Sequence, residues 1–155
     1  MNDRLAALPR RVVAAGLLVT DGEGRVLVVK PTYKPGWEIP GGVVEAGETP
    51  PDAAEREGRE ELGVAAPAGR LLVVEHQVKP DPKGDSVMLV YDGGSLRGPF
   101  ALPPDELSEA RYVPVADLPA YLPERQARRL AAAVAAREAG TVVELCDGVP
   151  REAPY

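Results

Sequence analysis

Branched apolar residues fill positions 11–20 (RVVAAGLLVT) and 25–30 (RVLVVK), and the DGEG between them is a turn-forming stretch, so the pair predicts a β-hairpin. PTYKPGWEIPGG then concentrates prolines and glycines, which predicts a loop holding a short strand near Trp37 to Ile39 and entering a tight glycine turn. Beyond it the period lengthens. Ala54, Gly58 and Leu62 recur every fourth residue, Thr49 offers an N-cap, Pro50 suits the first helical position, and Gly63 follows as a stop, so a helix is expected from about Pro50 to Leu62. Residues 71–79 and 86–91 predict two strands joined by KPDPKGD, 92–106 a loop, 109–115 another strand, and 142–146 a final edge strand. A helical turn in PVADLPAYLPERQ leads into a second helix, from about Pro123 to Ala139, closed by Gly140. Strands interspersed with two helices imply an α+β or α/β layered domain. Residues 1–155 read as a single domain with 1–10 and 150–155 as loose ends.

The expected 50–62 helix breaks two local rules. Glu57, Glu60 and Glu61 stand at i, i+3 and i+4, where like charges repel by about 0.2–0.5 kcal/mol per pair, and they gather in the last turn, where the helix dipole disfavours acids. Such departures mark functional sites. Glu57 and Glu61 border the apolar stripe and should be half in water.

Composition narrows the partners. With a net charge of −6 the chain lacks the broad basic face that polymeric nucleic acid requires, so an anionic small molecule would need a bridging cation. The apolar run Val12 to Val19 is too short to span a bilayer, and MNDRLAALPRR lacks a signal-peptide core, so no membrane partner is expected. Cys146 is the single cysteine, which rules out an internal disulfide and fits a cytoplasmic location. His76 stands alone on a strand, and Arg125, Arg128, Arg129 and Arg137 are expected on the solvent side of the last helix.

From Gly42 the chain reads GVVEAGETPPDAAEREGREELGV, which resembles the signature of the Nudix hydrolases. Gly42, Glu48, Arg56, Glu57, Glu60, Glu61, Gly63 and Val64 all match; Gly58 departs, standing where the family carries an aliphatic residue. The resemblance implies an α/β/α sandwich with a mixed sheet that hydrolyses a nucleoside diphosphate linked to another moiety, using Mg²⁺ or Mn²⁺. Three carboxylates without neighbouring histidine or cysteine agree with a hard-oxygen site. By similarity, Glu57, Glu60, Glu61 and the carbonyl of Gly41 would ligate metal, and Glu57 would orient or deprotonate the attacking water. Glu106, in PPDELSEARYV, is an alternative base, and Arg56 would pair with Glu48 or Glu60. Tyr33, Trp37, Tyr91 and Tyr112 could stack a nucleobase. Pro80 lies sixteen residues beyond Val64, where proline resembles a mark of ADP-ribose-cleaving members. The competing readings are a solvated acidic helix face, a nucleotide-sensing module without turnover, and a related diphosphate isomerase, the last requiring a cysteine better placed than Cys146. Family members are often homodimers.

Overall fold

A computed structural model describes residues 3–79 and 84–151. Eight strands form one mixed sheet: β1 (Val12–Thr20), β2 (Val26–Pro31), β3 (Gly41–Val43), β4 (Leu71–Gln77), β5 (Ser86–Ser95), β6 (Leu107–Val113), β7 (Val143–Cys146) and β8 (Val149–Pro150). Their order is β6-β2-β1-β5-β4-β7-β8, with β3 paired to β1 off that path. β1 runs parallel to β5 and β4 parallel to β7; the other pairs are antiparallel. Helix α1 (Asp3–Ala6) is short and exposed, in residues expected to be loose, while α2 (Pro50–Leu62) and α3 (Glu124–Ala139) pack on opposite faces. The result is the expected α/β/α sandwich. No helix among the described residues is long and apolar enough to cross a membrane.

Alternation along β1 builds both cores. Ala15, Leu17 and Val19 face α2, joining Leu27, Val29, Ala53, Ala54 and Leu62, whereas Leu18 faces α3 with Val28, Leu72, Leu130 and Ala133. Gly58 is buried against this first core: a Cβ there would lie 2.8 Å from Leu17 Cδ1 and 2.9 Å from the Ala66 Cβ. The helix therefore lies close on the sheet, and the aliphatic residue missing from the signature leaves no gap.

The hairpin expected from residues 11–30 closes only at its turn, where Thr20 pairs with Val26. Further from the turn β2 diverges, and residues 38–44 enter the wedge. Val29 and Glu38 exchange backbone hydrogen bonds of 2.7 and 2.9 Å, Leu17 N donates to Pro40 O at 2.9 Å, and Gly41 to Val43 pair with Gly16 to Ala14. The short strand expected at Trp37–Ile39 is thus a single bridge at Glu38, and the strand proper begins after Pro40, which has no N–H to give. Gly41 is required by crowding, since a Cβ would sit 2.4 Å from the Ala15 carbonyl oxygen.

Other boundaries moved for identifiable reasons. β5 continues to Ser95, through residues expected to be loop, because Gly93 lets it lie against β1, where a Cβ would meet Val19 Cγ2 at 2.8 Å. β7 is not the edge, since β8 pairs outside it. Arg129 and Arg137 do not cover the solvent side of α3. Arg137 donates to Leu18 O at 2.6 Å and Thr20 Oγ1 at 2.7 Å, and Arg129 is buried in an ion pair with Glu75. Both tie the helix to the sheet, a use of arginine that composition on an alanine-rich helix does not reveal. Arg70 adds a third tie, donating to the carbonyls of Ala136 and Thr141 at the C-terminal end of α3.

Candidate functional site

Helix α2 begins and ends as its sequence requires. Thr49 Oγ1 accepts from Asp52 N at 3.3 Å, and Gly63 takes the left-handed conformation (φ 69°) with its N–H donating to Arg59 O. Ahead of the helix, residues 43–49 curl back so that Glu48 reaches Arg56. The guanidinium holds that carboxylate as a fork: Nε donates to Oε2 at 3.0 Å and Nη2 to Oε1 at 2.7 Å. Nη2 also donates to the Val43 carbonyl at 3.3 Å, and Nη1 reaches Glu57 Oε1 at 2.9 Å and Glu60 Oε2 at 3.4 Å. Arg56 is therefore the hub that fixes the loop to the helix, pairing with both glutamates named as alternatives from the sequence.

Glu48 consequently holds its proton weakly. The Arg56 guanidinium, then the Glu45 backbone N–H, which donates to it at 2.8 Å, lower its pKa to about 2 from 4.5. A depressed carboxylate pKa contributes stability that is complete above the unfolded value and lost as pH falls toward the folded one. Between pH 4.5 and 2 the wild type should thus lose stability more steeply than Glu48→Gln. Urea melts of both proteins across that interval check this; parallel slopes would separate the fork from folding.

The three acids of the last turn differ in surroundings. Glu60 is half exposed, with 53% of its side chain in solvent, whereas Glu57 retains 20% and Glu61 belongs to the buried residues. Glu61 is thus deeper than its place beside the apolar stripe predicts. Burial raises the Glu61 carboxyl to about 8, and the Glu57 charge adds to this; the Gly41 N–H, which donates to Glu61 Oε2 at 3.3 Å, offsets only part. Glu57 is also raised, by burial, against the opposing pull of Arg56. Its carboxylate lies against bare backbone: a Cβ on Gly42 would come within 2.5 Å of Glu57 Cδ.

These groups line a cleft of about 820 Å³ that also contains Tyr33, Lys34 and Glu106. Glu106 enters from the turn preceding β6, whose backbone ties back to Thr32 at 2.9 Å. Tyr33 is 70% exposed at the cleft mouth, with Lys34 Nζ 5.6 Å from its ring centroid. Tyr91 is elsewhere, buried in the core beneath α2, and Tyr112 donates its hydroxyl to Leu96 O in the same layer. Trp37 packs edge-on to Tyr121 rather than into the cleft. Pro80 lies outside the described residues. His76 pairs with Glu144 at 3.0 Å, and neither lines the cleft. Lys34, which nothing in the sequence pattern singles out, bonds Glu38 at 2.7 Å and lines the cleft with Arg56.

Among the described residues, no three acidic, histidine or cysteine side chains already converge as a metal-ligand array. Arg56 Nη1 holds one oxygen each of Glu57 and Glu60. The donor set nevertheless fits a hard cation. It is all oxygen, partly dehydrated, and contains a buried acid whose charge is opposed by an adjacent like charge, a mismatch that a divalent ion would relieve.

A family profile described as the NUDIX domain matches residues 10–134. The ADP-ribose pyrophosphatase of Methanocaldococcus jannaschii is 30% identical over 108 residues, covering 65% of this chain and 61% of that protein. The NAD-capped RNA hydrolase NudC of Stutzerimonas stutzeri is 34% identical over 119 residues, covering 76% of this chain and 41% of that protein. The chain thus spans less than two thirds of the length of these relatives. Among solved structures, a MutT NUDIX hydrolase from Burkholderia pseudomallei superposes with a TM-score of 0.68 at 28% identity, covering 79% of this chain and 98% of that one. A UDP-X diphosphatase superposes with a TM-score of 0.75 at 20% identity, covering 94% of this chain and 75% of that one, a likeness of fold.

Proposed function

Because this chain belongs to the NUDIX domain family, we propose that its acidic cleft hydrolyses a pyrophosphate bond in a nucleoside diphosphate derivative or a nucleoside triphosphate, with Mg²⁺ or Mn²⁺. The observation that carries the reading is the meeting of Glu57, Glu61 and the Gly41 backbone in one cleft, braced by the Arg56–Glu48 fork. In this reading Glu57, Glu60, Glu61 and the Gly41 carbonyl would hold the cation. When bound, it neutralises phosphate charge and lowers the pKa of water in its shell. The chain's own residues do the rest. Arg56 fixes the Glu57 carboxylate by one oxygen, leaving the other to orient the attacking water or take its proton. Glu106 faces the same space from a separate loop and is the second candidate base. Tyr33 and Lys34 line the same cleft, which supports a role for them in meeting the part of the substrate beyond its phosphates.

A panel of dinucleotides, nucleotide sugars and nucleoside triphosphates, with Mg²⁺, with Mn²⁺ and with chelator, tests this by the products released. Metal-dependent cleavage at a phosphoanhydride is expected. Glu106→Gln should cut kcat by about 10²-fold or more if it is the base, while its melting temperature stays that of the wild type, because the residue is exposed. Unchanged turnover would leave Glu57 as the base. Tight nucleotide binding with no turnover in either metal would make the protein a sensing module instead.

A further inference from the structure

A second cavity, of about 170 Å³, lies on the α3 side of the sheet and shares Glu38, Gly41 and Gly42 with the acidic cleft. Its walls are Ala14, Ile39 and Met88, with Gln126 and Arg129 contributed by α3. Gly16 helps set its width, since a Cβ there would lie 2.8 Å from Ile39 Cδ1 and 3.0 Å from Met88 Cε. Arg129 has 8% of its side chain exposed, and its Nε donates to Glu75 Oε2, a carboxylate that is fully buried. Glu75 Oε2 also accepts from Gln77 Nε2 at 3.5 Å, while Oε1 is sealed without a partner, so the arginine is the cation this buried acid answers. Among the described residues no acceptor takes a hydrogen bond from Arg129 Nη1 or Nη2, yet neither belongs to the sealed unpartnered atoms. Arg129 is one of the residues that line this cavity, and no hydrogen-bond partner among the described residues occupies either nitrogen.

A buried guanidinium pinned at Nε, with its outer fork unpartnered beside a slot whose apolar walls also carry Glu38 and Gln126, is a preorganised double donor. The slot is smaller than the roughly 300–1,000 Å³ of a whole-ligand site, so it suits one ring of a molecule whose phosphates lie in the adjoining cleft. We propose that Arg129, held by Glu75, selects the nucleobase of the substrate, favouring a base with carbonyl oxygens on its edge, guanine or uracil, over adenine. Guanine offers the fork two adjacent acceptors, O6 and N7, and uracil a ring carbonyl, whereas adenine sets an amino group beside its N1 and N7 acceptors, so one arm of the fork meets hydrogen. This rests on the nucleotide reading of the cleft but makes a separate claim about the far side of the sheet.

The test compares kcat/KM for GDP-mannose, UDP-glucose and ADP-ribose, and binding of GMP, UMP and AMP without divalent ion, in the wild type and in Arg129→Met combined with Glu75→Gln. The double change avoids leaving a buried charge unpaired. Wild type is expected to prefer a carbonyl-bearing base by about 10-fold or more, and the variant to lose that ratio. The guanine and uracil arms tell which carbonyl pattern fits. Equal use of all three bases, or a preference that survives in the variant, would overturn the proposal. If the variant does not fold, the wild-type Arg129 side-chain NMR signals decide: they should shift with GMP or UMP and not with AMP, and equal shifts would refute it. Should no substrate be cleaved while the monophosphate preference stands, the hydrolase reading fails and this one survives.

Discussion

Replacing Glu61 with glutamine should make the metal-free protein more stable at pH 8 and at the same time nearly inactive. The two effects share one cause. The Glu61 carboxyl is buried beside Glu57 and is raised to about 8 from 4.5, so the folded state keeps a proton that the unfolded chain has already released. In that window the unfolded state binds fewer protons, and stability falls as pH rises from 4.5 toward 8, the loss being complete above the folded pKa. Glutamine removes the penalty; a gain of about 1–3 kcal/mol is expected at pH 8 and little at pH 4. The same change removes a proposed cation ligand worth several kcal/mol of charge stabilisation, so kcat/KM should fall by about 10²–10⁴-fold. Thermal melts with and without Mg²⁺ report both: the cation should raise the wild-type midpoint and leave Glu61→Gln unmoved. A variant that is less stable without metal and still stabilised by it would show that Glu61 serves packing alone.

Arg56→Lys is the second large effect, although it conserves charge. Lysine cannot reproduce two parallel bonds to Glu48 together with contacts to Glu57 and the Val43 carbonyl, because an ammonium is a point donor rather than a planar fork. The loop from Gly41 to Glu48 would lose its tether to α2. Activity and cation affinity should drop by about 10–100-fold, the usual cost of losing a group that orients ligands, with about 1–2 kcal/mol of stability. Titration of Mg²⁺ against the melting midpoint separates the two. If Arg56→Lys and Glu48→Gln act through one tether, the double variant should be little worse than the poorer single one. Additive losses would mean that the two residues act independently.

Much of this site is legible in the chain because it is local. Thr49, Pro50 and Gly63 bound the helix, and the spacing from Gly42 to Glu61 places a loop glycine and three acids on it without reference to the rest of the fold. What the sequence concealed is long-range. Glu61 is buried because residues 38–44 wedge β1 from β2 and bring Gly41 over it, a pairing across twenty residues. Tyr91 and Tyr112 carry the same apparent chemistry as Tyr33, but strand alternation turns the first pair into the core and only Tyr33 reaches the cleft. Arg129 is indistinguishable in composition from Arg128 beside it. Their fates differ because Arg129 meets Glu75 across 54 residues, while Arg128 bonds Glu124 one turn away in solvent. Periodicity locates a face; it does not say which acid waits on the neighbouring strand.

The wedge segment limits how the two chambers beside it can change shape. Glu38, Gly41 and Gly42 line both chambers and so form their common rim. A side chain added to Gly41 or Gly42 would collide with the Ala15 carbonyl or the Glu57 carboxylate, so this rim cannot be remodelled without disturbing the acidic chamber. The walls free to vary are the outer ones, on β5 and α3 for one chamber and on the 31–37 loop for the other.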